Sequence, residues 1–233
     1  SDLTLIQDTL TMTAPGEIKP HQDILIRDDK IAQVSDHGTI TVQADETIDG
    51  THRLFMPGLI DSHLHTGQQL LRGRVLDTKG IIWQKVMLPF EANMTAETMT
   101  LNAQLTALEM ITSGTTGFVE SGSYHMAAAG TVYAKSGLRG ALAYSTMDDP
   151  TLPATINMDA KTAIAHTDAL YDQFHGRNHL QVYYSLRALN NCSDTLVDLA
   201  AQRAVDRQTF LEAHMNEYPQ EVAGILARCG ERP

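Results

Sequence analysis

The sequence predicts an α/β protein in which a small β module precedes an apparently incomplete TIM-like (β/α) barrel. Hydrophobic residues make up 42% of the chain and charged residues 19%, which is an ordinary balance for a globular protein. Residues 1–56 contain short strand-like runs, whereas residues 57–233 alternate apolar strands with longer segments of helical periodicity. Because alternating strands and helices form parallel βα units, we expect two domains that meet after residue 56.

The first module is predicted from its strand patterns. Residues 23–27 and 30–34 are apolar runs on either side of Asp28 and Asp29, which predicts a hairpin with an acidic turn. Residues 39–42 have the β-branched composition of a further strand.

The second part begins after the turn signal Pro57-Gly58. Predicted strands lie near residues 59, 118, 142, 183 and 212. Predicted helices occupy residues 95–113, 127–136, 158–174, 195–208 and 220–228. A closed barrel of this type needs eight strands in about 250 residues. We therefore expect about five βα units, with either further residues after Pro233 or a second, complementary chain to close the barrel.

Charge and composition exclude several classes of partner. The net charge is −11, from 28 acidic and 17 basic residues, which disfavours nucleic acid and anionic membrane surfaces. No apolar run is long enough for a transmembrane helix, and the first residues lack the pattern of a signal peptide. Two cysteines give no disulfide framework. We therefore expect a cytoplasmic protein.

Three histidines are candidate metal ligands. His63 and His65 end an apolar run, and residues two apart on a strand point to the same face. The chain has 10 histidines, so such a pair can arise by chance, but polar groups at a strand end are typical of a barrel active site. His214 ends the fifth predicted strand and adds a third imidazole. We expect one divalent ion, Zn²⁺ first, with Fe²⁺ or Mn²⁺ as alternatives.

Glu217 is the candidate catalytic residue. It lies three residues after His214, where a carboxylate can move protons between an activated water molecule and a leaving group. The alternative interpretation is an acidic residue that merely favours the start of a helix.

These motifs together resemble the amidohydrolase superfamily and, within it, the chlorohydrolases and S-adenosylhomocysteine/methylthioadenosine deaminases. The resemblance is carried by Pro57-Gly58-Leu59-Ile60-Asp61-Ser62-His63-Leu64-His65, Leu70-Leu71-Arg72-Gly73, Pro89-Phe90-Glu91, Ser113-Gly114-Thr115-Thr116 and His214-Met215-Asn216-Glu217.

The resemblance implies a β-sandwich segment joined to a TIM-like barrel. It implies one metal on His63, His65 and His214, with Glu217 as the proton shuttle. It also implies an aspartate ligand and a catalytic histidine, both after Pro233. The predicted fourth strand, residues 181–186, has no lysine that could bridge two metals, which favours a mononuclear site.

Two further residues are candidates for substrate binding. Glu91 matches the glutamate that holds the ribose hydroxyls in nucleoside deaminases, although an ordinary acid near a helix start is the alternative. Arg187 stands where those deaminases commonly have a histidine that contacts the purine. Because arginine brings a permanent charge and five donors, it favours an anionic or carbonyl-rich substrate over plain adenosine.

The function expected from these observations is a metal-dependent hydrolase that deaminates a small heteroaromatic or nucleoside-like molecule. One alternative is hydrolysis of another C–N or a C–Cl bond on the same fold. Another is a non-catalytic fragment or interaction module, because the metal shell in these residues is incomplete. The expected partners are a small-molecule substrate and either a second copy of the chain or a complementary chain.

Overall fold

A computed structural model describes residues 2–75 and 77–233. The chain divides into two compact units, Ser1–Gly58 and Leu59–Pro233, so the division lies two residues beyond the predicted one.

The first unit contains a mixed five-stranded sheet. Its strands are β1 (Leu3–Ala14), β2 (Glu17–Arg27), β3 (Lys30–Asp36), β4 (Glu46–Asp49) and β5 (Leu54–Phe55). The order is β3-β2-β1-β4, and β5 also pairs with β1. The five strands described in this unit form one sheet, so the sandwich implied by the resemblance stays a prediction.

The predicted hairpin is confirmed, and the strand predicted at residues 39–42 is wrong. β2 and β3 pair in antiparallel register, with Arg27 opposite Lys30 across the acidic turn. After β3 the backbone turns instead of extending, because the amide and the hydroxyl of Thr39 both donate to the carbonyl of Asp36. Residues 39–42 therefore have no strand to pair with.

The second unit alternates parallel strands with helices. Its strands are β6 (Leu59–Leu64), β7 (Thr115–Glu120), β8 (Arg139–Leu142), β9 (Leu180–Val182), β10 (Tyr184–Leu186) and β11 (Leu211–Ala213). Its α-helices are α1 (Leu88–Ala92), α2 (Ala96–Thr112), α3 (Met126–Ser136), α4 (Ala160–Phe174), α5 (Asp194–Asp206) and α6 (Pro219–Cys229). Short 3-10 helices span Thr66–Leu71 and Leu189–Asn191, and a π-helical turn spans Trp83–Met87.

The strands of this unit form two parallel sheets in chain order. One has the order β6-β7-β8-β9, and the other pairs β10 with β11. Only Tyr183 separates β9 from β10, so the chain runs from one sheet directly into the other. The carboxyl ends of these strands therefore lie along one edge, which is where a barrel builds its active site.

Local signals explain where the helices begin and end. Thr95 caps α2 in a capping box with Thr98, and the Ser193 hydroxyl accepts the Leu196 amide at the start of α5. Gly137 ends α3 with φ +79°, a conformation that favours glycine. These caps set where α2 and α5 begin and where α3 ends.

Helix α2 buries a side that carries no leucine. Its buried side consists of Met99, Ala103, Ala107 and Met110, whereas Leu108 is 59% exposed. This side of α2 lies mainly against α3 and the 3-10 helix Thr66–Leu71. Among the described residues, no helix has both the length and the apolar character needed to cross a bilayer.

Candidate metal centre

Three imidazoles meet at the carboxyl ends of two strands. His63 lies within β6, His65 follows it directly, and His214 follows β11. One ring nitrogen from each residue lies within 4.8 Å of those of the other two. The Nε2 atoms of His65 and His214 are 3.1 Å apart. The structure thus brings together the three histidines that the sequence proposes as ligands.

The spacing of one pair of these nitrogens suits a tetrahedral cation. Zinc–nitrogen bonds of about 2.0–2.1 Å place two tetrahedral ligands roughly 3.3 Å apart, close to the 3.1 Å between the Nε2 atoms of His65 and His214. The Nδ1 atom of His65 lies 2.8 Å from the carbonyl oxygen of Gly122. Because a carbonyl can only accept, Nδ1 carries the proton and the Nε2 lone pair faces the other histidines.

The electrostatic surroundings keep two of these imidazoles neutral. Burial, followed by the positive charge of Arg187, lowers the pKa of His65 well below its usual value. The same two causes lower the pKa of His214 to about 4. Neutral imidazoles at pH 7 offer lone pairs to a metal without first losing a proton.

Glu91 and Arg187 form a buried ion pair. Nη2 of Arg187 lies 3.0 Å and 3.3 Å from the two carboxylate oxygens of Glu91. The residues are 1% and 4% exposed, respectively. Gln68 donates a further hydrogen bond of 3.2 Å to the carboxylate. The positive charge of Arg187, which suggested an anionic substrate, is therefore neutralised within the protein by Glu91.

Gly122 is a site residue that the sequence reasoning missed. Its carbonyl accepts both Nδ1 of His65 and, at 3.1 Å, Nη1 of Arg187. Its φ is +107°, and a Cβ here would lie 3.2 Å from the Cα atom of Ser145 and from Oγ of Ser185. Its contribution comes from a backbone atom, so the only available signal was a glycine two residues after a strand.

Glu120 is a second residue that was missed. It ends β7, is fully buried, and accepts hydrogen bonds from Ser123 and from both the amide and the hydroxyl of Thr66. Burial raises its pKa to about 7, although these hydrogen bonds act in the opposite direction. Nδ1 of His65 is 3.9 Å from this carboxyl group. An acid at the end of an apolar strand could have been recognised from the sequence.

Glu217 lies at the entrance to α6. Its amide and that of Asn216 donate to the carboxylate of Glu221, at 3.0 Å and 3.1 Å. Partial burial, followed by the charge of Glu221, raises the pKa of Glu217, while Arg187 and His63 act in the opposite direction. A raised pKa keeps more of this carboxyl group protonated, which suits a proton donor.

Two cavities lie beside these groups. One of about 630 Å³ adjoins Glu91 and is lined by aromatic residues that include Tyr124, Tyr144 and His166. The other, of about 440 Å³, is lined in part by His65 and Gln68. The larger cavity does not include the three histidines, so its volume is not by itself the space above the candidate metal position.

Known proteins match this chain in sequence over most of its length. A model of the amidohydrolase family matches residues 54–232. A 5-methylthioadenosine/S-adenosylhomocysteine deaminase from Thermococcus kodakarensis is 32% identical over 212 residues, which are 91% of this chain and 49% of that protein. The chain spans about half the length of the curated relatives it matches.

Solved structures resemble the whole chain. An adenosine deaminase from Xanthomonas campestris with bound zinc superposes with a TM-score of 0.88 at 24% identity, covering 99% of this chain and 53% of the other. A triazine hydrolase from Arthrobacter aurescens gives a TM-score of 0.87 at 20% identity, covering 100% and 57%. At these identities the likeness shows the fold, which is that of a TIM-like α/β barrel.

Proposed function

This chain belongs to the amidohydrolase family, and we therefore propose that it acts as a metal-dependent deaminase of a small heteroaromatic or nucleoside-like substrate. The family resemblance in the sequence is confirmed by the family match. The observation that carries the proposal is the convergence of His63, His65 and His214. The Nδ1 atom of His65 is held by the carbonyl oxygen of Gly122, which leaves Nε2 free for a metal. The deaminase named among the relatives supports the reaction class.

The metal would be held by the three imidazoles, with Zn²⁺ as the first choice. When bound, such an ion supplies Lewis-acid activation of water near neutral pH. Hydrolytic deamination forms a bond between a water oxygen and a ring carbon, breaks the exocyclic C–N bond and releases ammonia. Glu217 is the proposed proton carrier, because it lies three residues after His214, where a carboxyl group can move a proton between an activated water molecule and the substrate.

Glu91 and Arg187 are proposed to contact the substrate as an ion pair. Together they carry no net charge, so they favour an uncharged ring system over the anionic substrate that Arg187 alone suggests. The Glu91 carboxylate still offers lone pairs to N–H or O–H donors of a substrate beyond those used by Arg187 and Gln68. This description fits the nucleosides in the name of the relative.

The decisive experiment measures ammonia release by the protein at its natural length from a panel of aminated purines, pyrimidines, pterins and triazines. We expect about one zinc per chain and turnover of at least one neutral aminated ring. His214→Ala should lose both the metal and the activity, because it removes one ligand. The exposed His52 lies in the first unit, and His52→Ala serves as the matched control.

Two results would contradict the proposal. Release of chloride from chlorinated rings, without ammonia from any aminated one, would favour the alternative hydrolase on the same fold. Absence of bound metal after purification without chelators, together with no gain on adding zinc, would favour the non-catalytic alternative.

A further inference from the structure

One carbonyl oxygen connects the candidate metal ligands with the buried ion pair. The oxygen of Gly122 accepts Nδ1 of His65 at 2.8 Å and Nη1 of Arg187 at 3.1 Å. A carbonyl oxygen has two lone pairs, so these two donors use its full capacity. The position of this oxygen therefore sets the direction in which the His65 ring points.

The remaining contacts of Arg187 hold its guanidinium in place. Nη1 also donates to Oγ of Ser145 at 3.2 Å, and Nη2 donates to the carboxylate of Glu91. The pair is nearly excluded from solvent. If the arginine turned towards a substrate, it would leave the Glu91 carboxylate buried without a counter-charge, which is strongly unfavourable. The guanidinium is thus a fixed support.

We propose that Arg187 is a positioning residue for the metal centre. Its fork joins Glu91 to the carbonyl of Gly122, and that carbonyl keeps the Nε2 atom of His65 aimed at the metal. The inference rests on the proposed function only in requiring that the three histidines bind a metal. It adds that the Glu91–Arg187 pair and the metal ligand His65 belong to one hydrogen-bonded network.

A purely electrostatic role makes a different prediction. The positive charge of Arg187 repels a nearby cation. If only this charge mattered, a substitution that removes it would strengthen metal binding, and a substitution that keeps it would leave metal binding unchanged. A positioning role depends on the two arms of the guanidinium. A lysine keeps the charge but offers one compact ammonium in place of the planar fork.

The test compares Arg187→Lys with the wild type in the protein at its natural length. The lysine keeps a partner for Glu91, and Arg139→Met, at the exposed start of β8, is the control. Zinc affinity is measured by competition with a chromophoric chelator. The visible absorption of the Co²⁺-substituted protein reports ligand geometry, and thermal unfolding of the metal-free protein reports folding.

We expect Arg187→Lys to bind zinc about 10- to 100-fold more weakly, the range typical of lost outer-shell partners. Its Co²⁺ spectrum should change, while Arg139→Met should match the wild type. The double variant Glu91→Gln/Arg187→Met removes both charges, and it should weaken zinc binding in the same range. This second variant keeps the test valid if the lysine variant folds poorly.

The inference is overturned if either folded variant of the pair binds zinc as tightly as the wild type, or more tightly, with an unchanged Co²⁺ spectrum. In that case the wild type still binds metal and the proposed function stands. If the wild type itself binds no zinc, the proposed function fails at its metal site and the inference fails with it, so the two failures are distinguishable.

Discussion

Replacing Gly122 with alanine tests how closely the site depends on one backbone carbonyl. The substitution adds a single methyl group at a residue with φ +107°. That methyl would lie 3.2 Å from the Cα atom of Ser145 and 3.2 Å from Oγ of Ser185. A hydroxyl can rotate away, but a Cα atom belongs to the backbone of the neighbouring chain segment and cannot.

The magnitude follows from two contributions. Holding a non-glycine residue in a sparsely populated backbone region costs about 1–3 kcal/mol. Extra volume in a well-packed site costs about 1–3 kcal/mol more. We therefore expect Gly122→Ala to lower the free energy of unfolding by about 2–4 kcal/mol, with some relief from local movement. That movement would displace the carbonyl and weaken zinc binding as well.

Gly137→Ala is the matched control. Gly137 also has a positive φ, +79°, but a Cβ there would have nothing within 4 Å. Its expected cost is the backbone contribution alone, about 1–2 kcal/mol. The assay is urea unfolding of the metal-free proteins, followed by zinc titration. If Gly122→Ala unfolds at the same midpoint as Gly137→Ala and binds zinc like the wild type, the argument from close contacts is refuted.

Three further predictions concern separate parts of the chain. Glu217→Gln should keep the metal but lose roughly 100-fold or more in turnover, the usual size of a proton-transfer contribution, and full activity would remove Glu217 from the mechanism. The hydrogen bond to Asp23 raises the pKa of His37, so its stabilisation is present below pH 6.5 and is lost as the pH rises through the folded-state value. Thermal unfolding between pH 6 and 8 should show this decline, and a slope that persists in His37→Gln would contradict the assignment. Leu142→Ala, at a fully buried position, should cost about 2–5 kcal/mol in urea unfolding, whereas Leu108→Ala, at an exposed one, should change stability by less than about 0.5 kcal/mol; equal effects would contradict the described core.

Periodicity and strand alternation predicted much of the second unit. The helix expected at residues 95–113 is observed at Ala96–Thr112, because its capping box joins Thr95 and Thr98 within a single turn. The spacing of His63 and His65 predicted that their side chains point to one side, although His65 lies just beyond the end of β6, and the structure brings His214 beside them. The helix and the His63–His65 spacing could be predicted because they depend on local backbone geometry, which a short sequence window contains. The convergence with His214, 149 positions after His65, was expected instead because both residues follow predicted barrel strands.

Contacts between distant residues could not be predicted in the same way. Glu91 and Arg187 are 96 positions apart, and each alone suggested a role towards substrate. Their pairing depends on where the loop after β10 meets α1, which no local pattern encodes. The strand predicted at residues 39–42 failed for a similar reason, since a β-branched composition does not supply a neighbouring strand.

The buried pair of Glu91 and Arg187 also restricts the mutational routes open to this protein. Removing either partner alone leaves an uncompensated charge in the interior, at a cost of about 3–5 kcal/mol, which is a large part of the stability of a typical domain. Natural drift at these two positions therefore has to cross an unstable intermediate unless both change together. A library intended to alter substrate preference should accordingly randomise both codons in the same clone, because libraries that vary one position would mainly return proteins that fail to fold.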